Sequence, residues 1–177
     1  MDARAARTLL ESAMPDEPGT TWADFGAGEG TFTRVLAELL GPAARVFAVD
    51  RDATSLAAFD RWPARLREHV IPVVADIARP FELPSLLDGA LIANALHYFR
   101  DPTAVLASLA ARVKAGGRVV IMEYDRRSRN PWVPYPIPLS ELEAIVKGAG
   151  LSAPTITATR ASRYGGDLYV AASDRVG

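Results

Sequence analysis

The glycine turn at residues 26–30 constrains this chain more than any other feature. Residues 20–25 are short and apolar, they run into Gly26-Ala27-Gly28-Glu29-Gly30, and Phe32, Val35, Leu36 and Leu39 then recur at helical spacing. The order is strand, glycine turn, helix. Gly41 and Pro42 stop the helix, residues 45–49 are rich in β-formers, and Asp50 stands at their carboxyl end. One βαβ unit is complete, and strands this apolar must be covered on both faces, which calls for a parallel sheet between helical layers.

The rest of the chain repeats the pattern. Residues 2–14 are expected to form a first helix, with Asp2 as its cap and Pro15 beyond its end; residues 53–67 read as a further helix. Strands are expected at 70–75, ending at Asp76, at 89–93, ending at Asn94, and at 118–122, followed by Glu123, Tyr124 and Asp125. Residues 102–113 read as an amphipathic helix and 114–117 as a turn. A last helix at 139–149 is expected to use Ser140 as cap with Glu143 at the capping-box position. Residues 155–160 and 167–173 should close the chain as a hairpin through Arg163, Tyr164, Gly165 and Gly166. The expected fold is α/β, a doubly wound sheet of seven strands, mostly parallel with an antiparallel C-terminal hairpin. A length of 177 residues suits one domain over 1–177 with no separate substrate domain.

Composition removes several classes of function. Cysteine is absent, so thiolate nucleophiles, disulfides and cysteine-held metals are excluded, and His69 and His97 alone are too few for a histidine-rich metal site; no metal is expected. A net charge of -1 gives no field for nucleic acid or an anionic membrane, so neither is expected as a partner. With no long apolar segment and no signal-like start, the expected location is the cytoplasm.

Glycines at the turn let a ligand approach the backbone, and Asp50, twenty residues past Gly30, can accept hydrogen bonds from a ribose diol. The spacing points to an adenosine-containing cofactor. A dinucleotide fingerprint would need a glycine where Thr31 stands, and no phosphate-binding GK[ST] follows. Asp24, two residues before Gly26, would repel a pyrophosphate and attract a cation. S-adenosylmethionine, with an ammonium, a sulfonium and no phosphate, fits those charges. Asp24, Asp50 and Asp76 could also be plain helix caps, yet three in register with a glycine turn favour ligand contacts.

On these residues the chain resembles the class I S-adenosylmethionine-dependent methyltransferases of the small-molecule type, with a minimal Rossmann-like domain. Residues 22–30 resemble the family's first motif and Val46-Phe-Ala-Val-Asp50 its acidic second strand end. Residues 73–77 resemble the adenine-contacting segment, 92–98 the segment beside the methionine part and the transferred methyl, and 113–121 the turn into the fifth strand. The resemblance implies a cofactor site of Asp24, Gly26, Ala27, Gly28, Gly30, Asp50, Arg51, Asp76, Ile77 and Asn94. In it Asp76 would serve the adenine amine and Ile77 the ring face. Glu29 stands where the family often has a small residue or proline, and reads as a solvated helix-start carboxylate. The segment after the fourth strand lacks the Asn/Asp-Pro-Pro-Tyr/Phe pattern of enzymes that methylate amino groups on bases or glutamine, which turns the reading toward other acceptors.

His97 is the candidate catalytic base, since an imidazole can take a proton near neutral pH; capping a helix or bonding a backbone group is the alternative. His69 is expected to be exposed. Tyr98, Glu123, Tyr124, Arg126, Trp132 and Tyr135 are the candidate substrate contacts. Arg126, Arg127 and Arg129 could recognise an anion or form a solvated run, and the loop at 130–138, with four prolines in nine residues, holds Trp132 and Tyr135 stiffly. The substrate is expected to be a small molecule with an apolar or aromatic body, bound between the first helix, residues 97–98 and the loop at 123–135. Alternatives are a non-catalytic binding module on the same fold and an NAD(P)-binding oxidoreductase, the latter opposed by Thr31 and the closing hairpin. So little chain covers the site that a homodimer is among the expected states.

Overall fold

The computed structural model describes residues 3–162 and 166–177. In chain order the elements are α1 (Ala3–Glu11), β1 (Thr21–Phe25), α2 (Thr31–Leu40), β2 (Arg45–Asp50), α3 (Ala53–Leu56), α4 (Ala64–Arg67), β3 (Val70–Val74), β4 (Leu87–Ala93), α5 (Pro102–Ala110), β5 (Val113–Asp125), α6 (Leu139–Gly148), β6 (Thr155–Ala161) and β7 (Asp167–Asp174). Short 3₁₀ turns lie at Ala57–Arg61 and Leu96–Tyr98. All seven strands join one sheet in the order β3-β2-β1-β4-β5-β7-β6. The first five pair in parallel, and β7 runs antiparallel to both β5 and β6.

Side chains alternate across that sheet because a strand turns successive residues to opposite faces. Trp22, Val46, Ala48, Leu91, Val120, Met122 and Val170 join α1, α2 and the Phe59 segment on one face. Ala23, Phe25, Phe47, Val49, Ile92, Ile121 and Tyr169 join α5 and α6 on the other. The sheet order reverses between β1 and β4. Loops leaving those two strands part to opposite faces and open a crevice at their carboxyl ends, the ordinary ligand site of such folds.

Several expectations need correction. The helix expected over 53–67 is broken into α3, a 3₁₀ turn and α4, because Pro63 holds the preceding Trp62 extended at ψ 155°. Phe59 and Trp62 stack at 4.3 Å there, filling the space beneath Gly30. Residues 114–117 are not a separate turn but an irregular start of β5, whose register against β4 shifts between Leu87 and Gly89. The helix expected to reach Val113 ends at Ala110, and Val113 opens β5. Ser140 lies inside α6 instead of capping it, and Asp125 Oδ1 accepts the Leu139 N–H at 3.0 Å in its place. Glu143 pairs with Lys147 at 2.6 Å. The Asp2 cap and the Arg163, Tyr164 and Gly165 part of the hairpin turn lie outside the described residues. Pro72 sits within β3, which is tolerable because β3 is an edge strand.

Candidate functional site

Two clefts meet at the crevice between β1 and β4. The first, about 390 Å³, is bordered by Gly26, Asp50, Arg51, Asp76, Ile77 and Asn94. The second, about 590 Å³, is bordered by Asn94, His97, Tyr98, Tyr124, Arg126 and Trp132, with Asn130 and Val133 behind them. Asn94 and Tyr98 belong to both. A ligand in each cleft would therefore meet its neighbour beside these two residues.

The glycines of the turn have distinct duties. Gly26 has φ 83°, and a Cβ there would sit 2.6 Å from the Ala95 Cβ, so this position serves the close approach of β1 and the segment after β4. Gly30 has φ 83° and faces the Phe59 and Trp62 rings, so it packs the helix start; like Asp24, Ala27 and Gly28, it is not among the residues that border the first cleft. Gly28 has φ 53° and nothing within 4 Å of an added Cβ: here the turn faces open space. Asp50 fastens this arrangement, its Oδ2 accepting the Gly28 N–H at 2.8 Å and its Oδ1 the Asp52 N–H at 2.9 Å. Each oxygen keeps a lone pair for a further donor. Ala27 is tied by its N–H to the Val49 carbonyl at 3.1 Å. Asp76 Oδ1 accepts the Ala78 N–H at 3.0 Å, so it also serves as a turn cap.

Asp24 lies beneath the turn, next to last in β1, and is 1% exposed. Thr33, in the first turn of α2, donates its hydroxyl to Asp24 Oδ2 at 2.6 Å, while Oδ1 has no partner among the described residues. Burial pushes the carboxyl from 3.8 up to about 7; the Thr33 hydrogen bond opposes that rise and the nearby Asp50 charge adds to it. Asn94, at the end of β4, takes φ 54°, a strained backbone for a residue with a Cβ, and its Oδ1 is likewise buried without a partner. Two unsatisfied acceptors close to one glycine turn suit a ligand rich in donors and positive charge.

His97 and Glu123 form a buried pair. Glu123 Oε2 lies 2.6 Å from His97 Nδ1, and Glu123 Oε1 accepts the His97 backbone N–H at 3.2 Å. Glu123 is fully buried and does not border the second cleft, so the structure places it behind the histidine instead of against a substrate. With Nδ1–H directed at the carboxylate, the lone pair of a neutral imidazole is on Nε2.

The segment at 126–138 walls the second cleft and is tied down at three points. The Tyr135 N–H donates to the His97 carbonyl at 3.0 Å, the buried Tyr169 hydroxyl donates to the Ile137 carbonyl at 2.9 Å, and Leu139 is held by Asp125. Asn130 Oδ1 accepts from the N–H groups of Trp132 at 2.9 Å and Val133 at 2.6 Å, turning the chain so that Trp132 reaches the cleft mouth. Tyr135 does not share that cleft; it faces the Arg129 guanidinium on a separate concavity. The first helix is not among the cleft's lining residues either; α1 packs on α2. His69 is half-buried with Nε2 enclosed, not exposed as expected. Thr33, Asn130 and Tyr169 are site residues that the sequence pattern does not mark; of these, only Thr33, a hydroxyl in the first helical turn after the glycines, carries a signal.

The pattern of a methyltransferase domain matches residues 23–119, more than half of the 177 residues. The chain belongs to the methyltransferase-domain family. A curated relative is an uncharacterized 37.1 kDa protein in a transposon of Streptomyces fradiae, 28% identical over 127 residues, which cover 70% of this chain and 35% of that one. Among solved structures, mitomycin 7-O-methyltransferase is similar with a TM-score of 0.73 at 18% identity, over 97% of this chain and 53% of that chain. Human N-acetylserotonin methyltransferase in complex with the cofactor gives 0.71 at 17% identity, over 97% and 52%. Magnesium protoporphyrin IX methyltransferase from Synechocystis PCC 6803, with S-adenosylmethionine bound, gives 0.72 at 16% identity, over 97% and 76%. The present chain thus spans about a third of the curated relative and about half of two of these three structures.

The family's cofactor is S-adenosylmethionine, and the residues present fit it. Open space over Gly28, a carboxylate at the end of β2 with free lone pairs, and unsatisfied acceptors at Asp24 and Asn94 match a ribose diol and an ammonium and give no welcome to a pyrophosphate. Among the described residues no helix is long and apolar enough to cross a membrane.

Proposed function

We propose that this chain transfers the methyl group of S-adenosylmethionine to a nucleophilic atom of a small molecule, with the cofactor in the first cleft and the acceptor in the second. The observation that carries the reading is the meeting of the two clefts at Asn94 and Tyr98, with His97 on the acceptor side. Gly26, Ala27, Gly28 and Gly30 shape the turn over which the cofactor lies. Asp50 and Arg51 flank its ribose, Asp76 and Ile77 its adenine, and Asp24 and Asn94 its amino-acid part. The cofactor supplies an electrophilic methyl on a sulfonium.

On the acceptor side, His97 Nε2 takes the proton from the acceptor's O–H or N–H as the new bond forms, and Glu123 holds the ring and stabilises the charge it gains. Tyr98, Tyr124 and Trp132 offer ring faces to an apolar or aromatic body. Arg126 can pair with an anionic substituent. The closeness of these groups is itself catalytic, since holding two reactants in near-attack geometry replaces an encounter in solution.

The reading extends to a single domain over 1–177, a cytoplasmic location, and a homodimer whose second copy closes the open mouth of the acceptor cleft; Trp132, 73% exposed there, supports the last point. Neither nucleic acid nor membrane enters the reading. Calorimetric titration with S-adenosylmethionine and S-adenosylhomocysteine tests the cofactor, and a screen of small acceptors for S-adenosylhomocysteine release tests the transfer. Saturable binding and acceptor-dependent release are expected; no heat at millimolar ligand would sink the proposal.

A further inference from the structure

A third concavity, of about 360 Å³, shares no lining residue with the other two. Its cationic groups come from separate parts of the chain: Arg100 follows the 3₁₀ turn that carries His97, while Arg127 and Arg129 follow β5. All three arginines are exposed, and none enters an ion pair among the described residues. Arg129 instead lays its guanidinium 5.5 Å from the centre of the Tyr135 ring, which orients it without neutralising it. Glu141 is the one carboxylate among the lining residues, so the wall holds three positive charges against one negative. Ser140 adds a hydroxyl at the start of α6, where Asp125 already accepts the Leu139 N–H.

A run of arginines along a loop is ordinarily a solvated surface, its members splayed apart by repulsion. Here Arg100 and the Arg127–Arg129 segment are brought together by the fold around one hollow. The Tyr135 N–H bond to the His97 carbonyl holds the two segments side by side. Pro136 and Pro138 stiffen the wall, so little ordering is needed when a ligand enters. Like charges gathered with so little counter-charge leave a potential that a bound anion relieves. One arginine fork satisfies a single carboxylate, whereas a phosphate has oxygens for several forks at once.

We propose that this concavity is a binding site for a phosphate group, separate from the cofactor and acceptor clefts and formed by Arg100, Arg127, Arg129 and Ser140. The group is either free inorganic phosphate or the head of a phosphomonoester. The site stands independently of methyl transfer, and its test needs neither cofactor nor acceptor.

The experiment is calorimetric titration of the full chain, at fixed ionic strength, with inorganic phosphate, with glycerol 3-phosphate and with acetate. Saturable binding of at least one phosphate ligand is expected, with acetate weaker. R127Q/R129Q and, separately, R100Q should each weaken it by about tenfold or more, the scale of one lost charge-assisted pair. R61Q/R65Q, which removes two exposed arginines elsewhere, should leave it unchanged, and thermal unfolding of every variant should match the parent. Tighter binding of the ester identifies an ester head as the ligand, and equal or weaker binding identifies free phosphate. Absence of saturation, equal binding of acetate, or equal weakening in R61Q/R65Q would each overturn the proposal.

Discussion

His97 Nδ1 lies 2.6 Å from Glu123 Oε2, and both side chains are buried, so one end of the imidazole is committed to the protein while His97 still borders the acceptor cleft. The pair joins two segments that are 26 residues apart in sequence, the turn after β4 and the end of β5.

If His97 takes the proton, His97→Ala should lower kcat by about 10²- to 10⁴-fold, the range of a general base. Glu123→Gln should also lower kcat, because an amide can donate to Nδ1 and favour the wrong tautomer, with cofactor affinity nearly unchanged. The measurement is S-adenosylhomocysteine release against acceptor concentration. Wild-type kcat in His97→Ala would leave the histidine with a structural part alone.

At the glycine turn, Gly28→Ala and Gly116→Ala make a matched pair, since both positions have positive φ and open space around an added Cβ. Each should cost about 1 to 2 kcal/mol of stability from backbone strain. Only Gly28→Ala should also weaken S-adenosylmethionine, which is expected to occupy that space. Equal cofactor affinity in the two variants, by calorimetry, would move the ligand away from Gly28.

Asp50→Ala should weaken S-adenosylmethionine by about 1 to 3 kcal/mol, the worth of a hydrogen bond to a charged group, while circular dichroism shows an intact fold. The effect has two sources: the lost ribose contact and the released Gly28 N–H. Unchanged affinity in a folded protein would place the ribose elsewhere.

The buried Asp24 carboxyl predicts how stability depends on pH. Its pKa of about 7 in the folded state exceeds the ordinary 3.8, so between these values the folded chain binds more protons than the unfolded one. Its stabilising contribution is full below about pH 4 and is lost as pH rises through about 7. Asp24→Asn keeps an acceptor for Thr33 and removes the titration. Urea unfolding at a series of pH values should show a decline between about pH 4 and 7 in the parent that the variant lacks. Parallel curves would mean that Asp24 titrates alike in both states.

Trp132→Ala should raise the acceptor's KM and leave cofactor affinity within a few-fold, because the ring stands 73% exposed at the mouth of the second cleft. Its thermal midpoint should not move. Lost cofactor binding with unchanged acceptor use would assign the ring to the first cleft.

Much of this molecule is legible in the one-dimensional pattern, for a physical reason. Strand, glycine turn and helix are local structures, set by side-chain periodicity and by residues that permit positive φ, so β1, the turn and α2 can be read at sight. The spacing from Gly30 to Asp50 is fixed by one helix and two short loops, so the acid falls at the neighbouring strand end, where it binds the Gly28 N–H. The break at Pro63 is less legible, because a helical stripe and a proline compete there, and packing of Phe59 and Trp62 against Gly30 decides between them.

What the tertiary structure alone decides is the division of labour among the polar residues. Glu123 and Tyr124 are neighbours in sequence, yet the strand turns them to opposite faces, so one backs His97 and the other borders the cleft. Trp132 and Tyr135 share a stiff loop, yet face different hollows. The ionisation of Asp24 depends on how completely α2 covers it, and the strain at Asn94 on the loop that leaves β4. Local pattern determines which segments become strands and helices and where their glycine and acidic ends lie. Which side chains then meet across tens of residues, and how dry they are when they do, depends on long-range packing that periodicity does not encode.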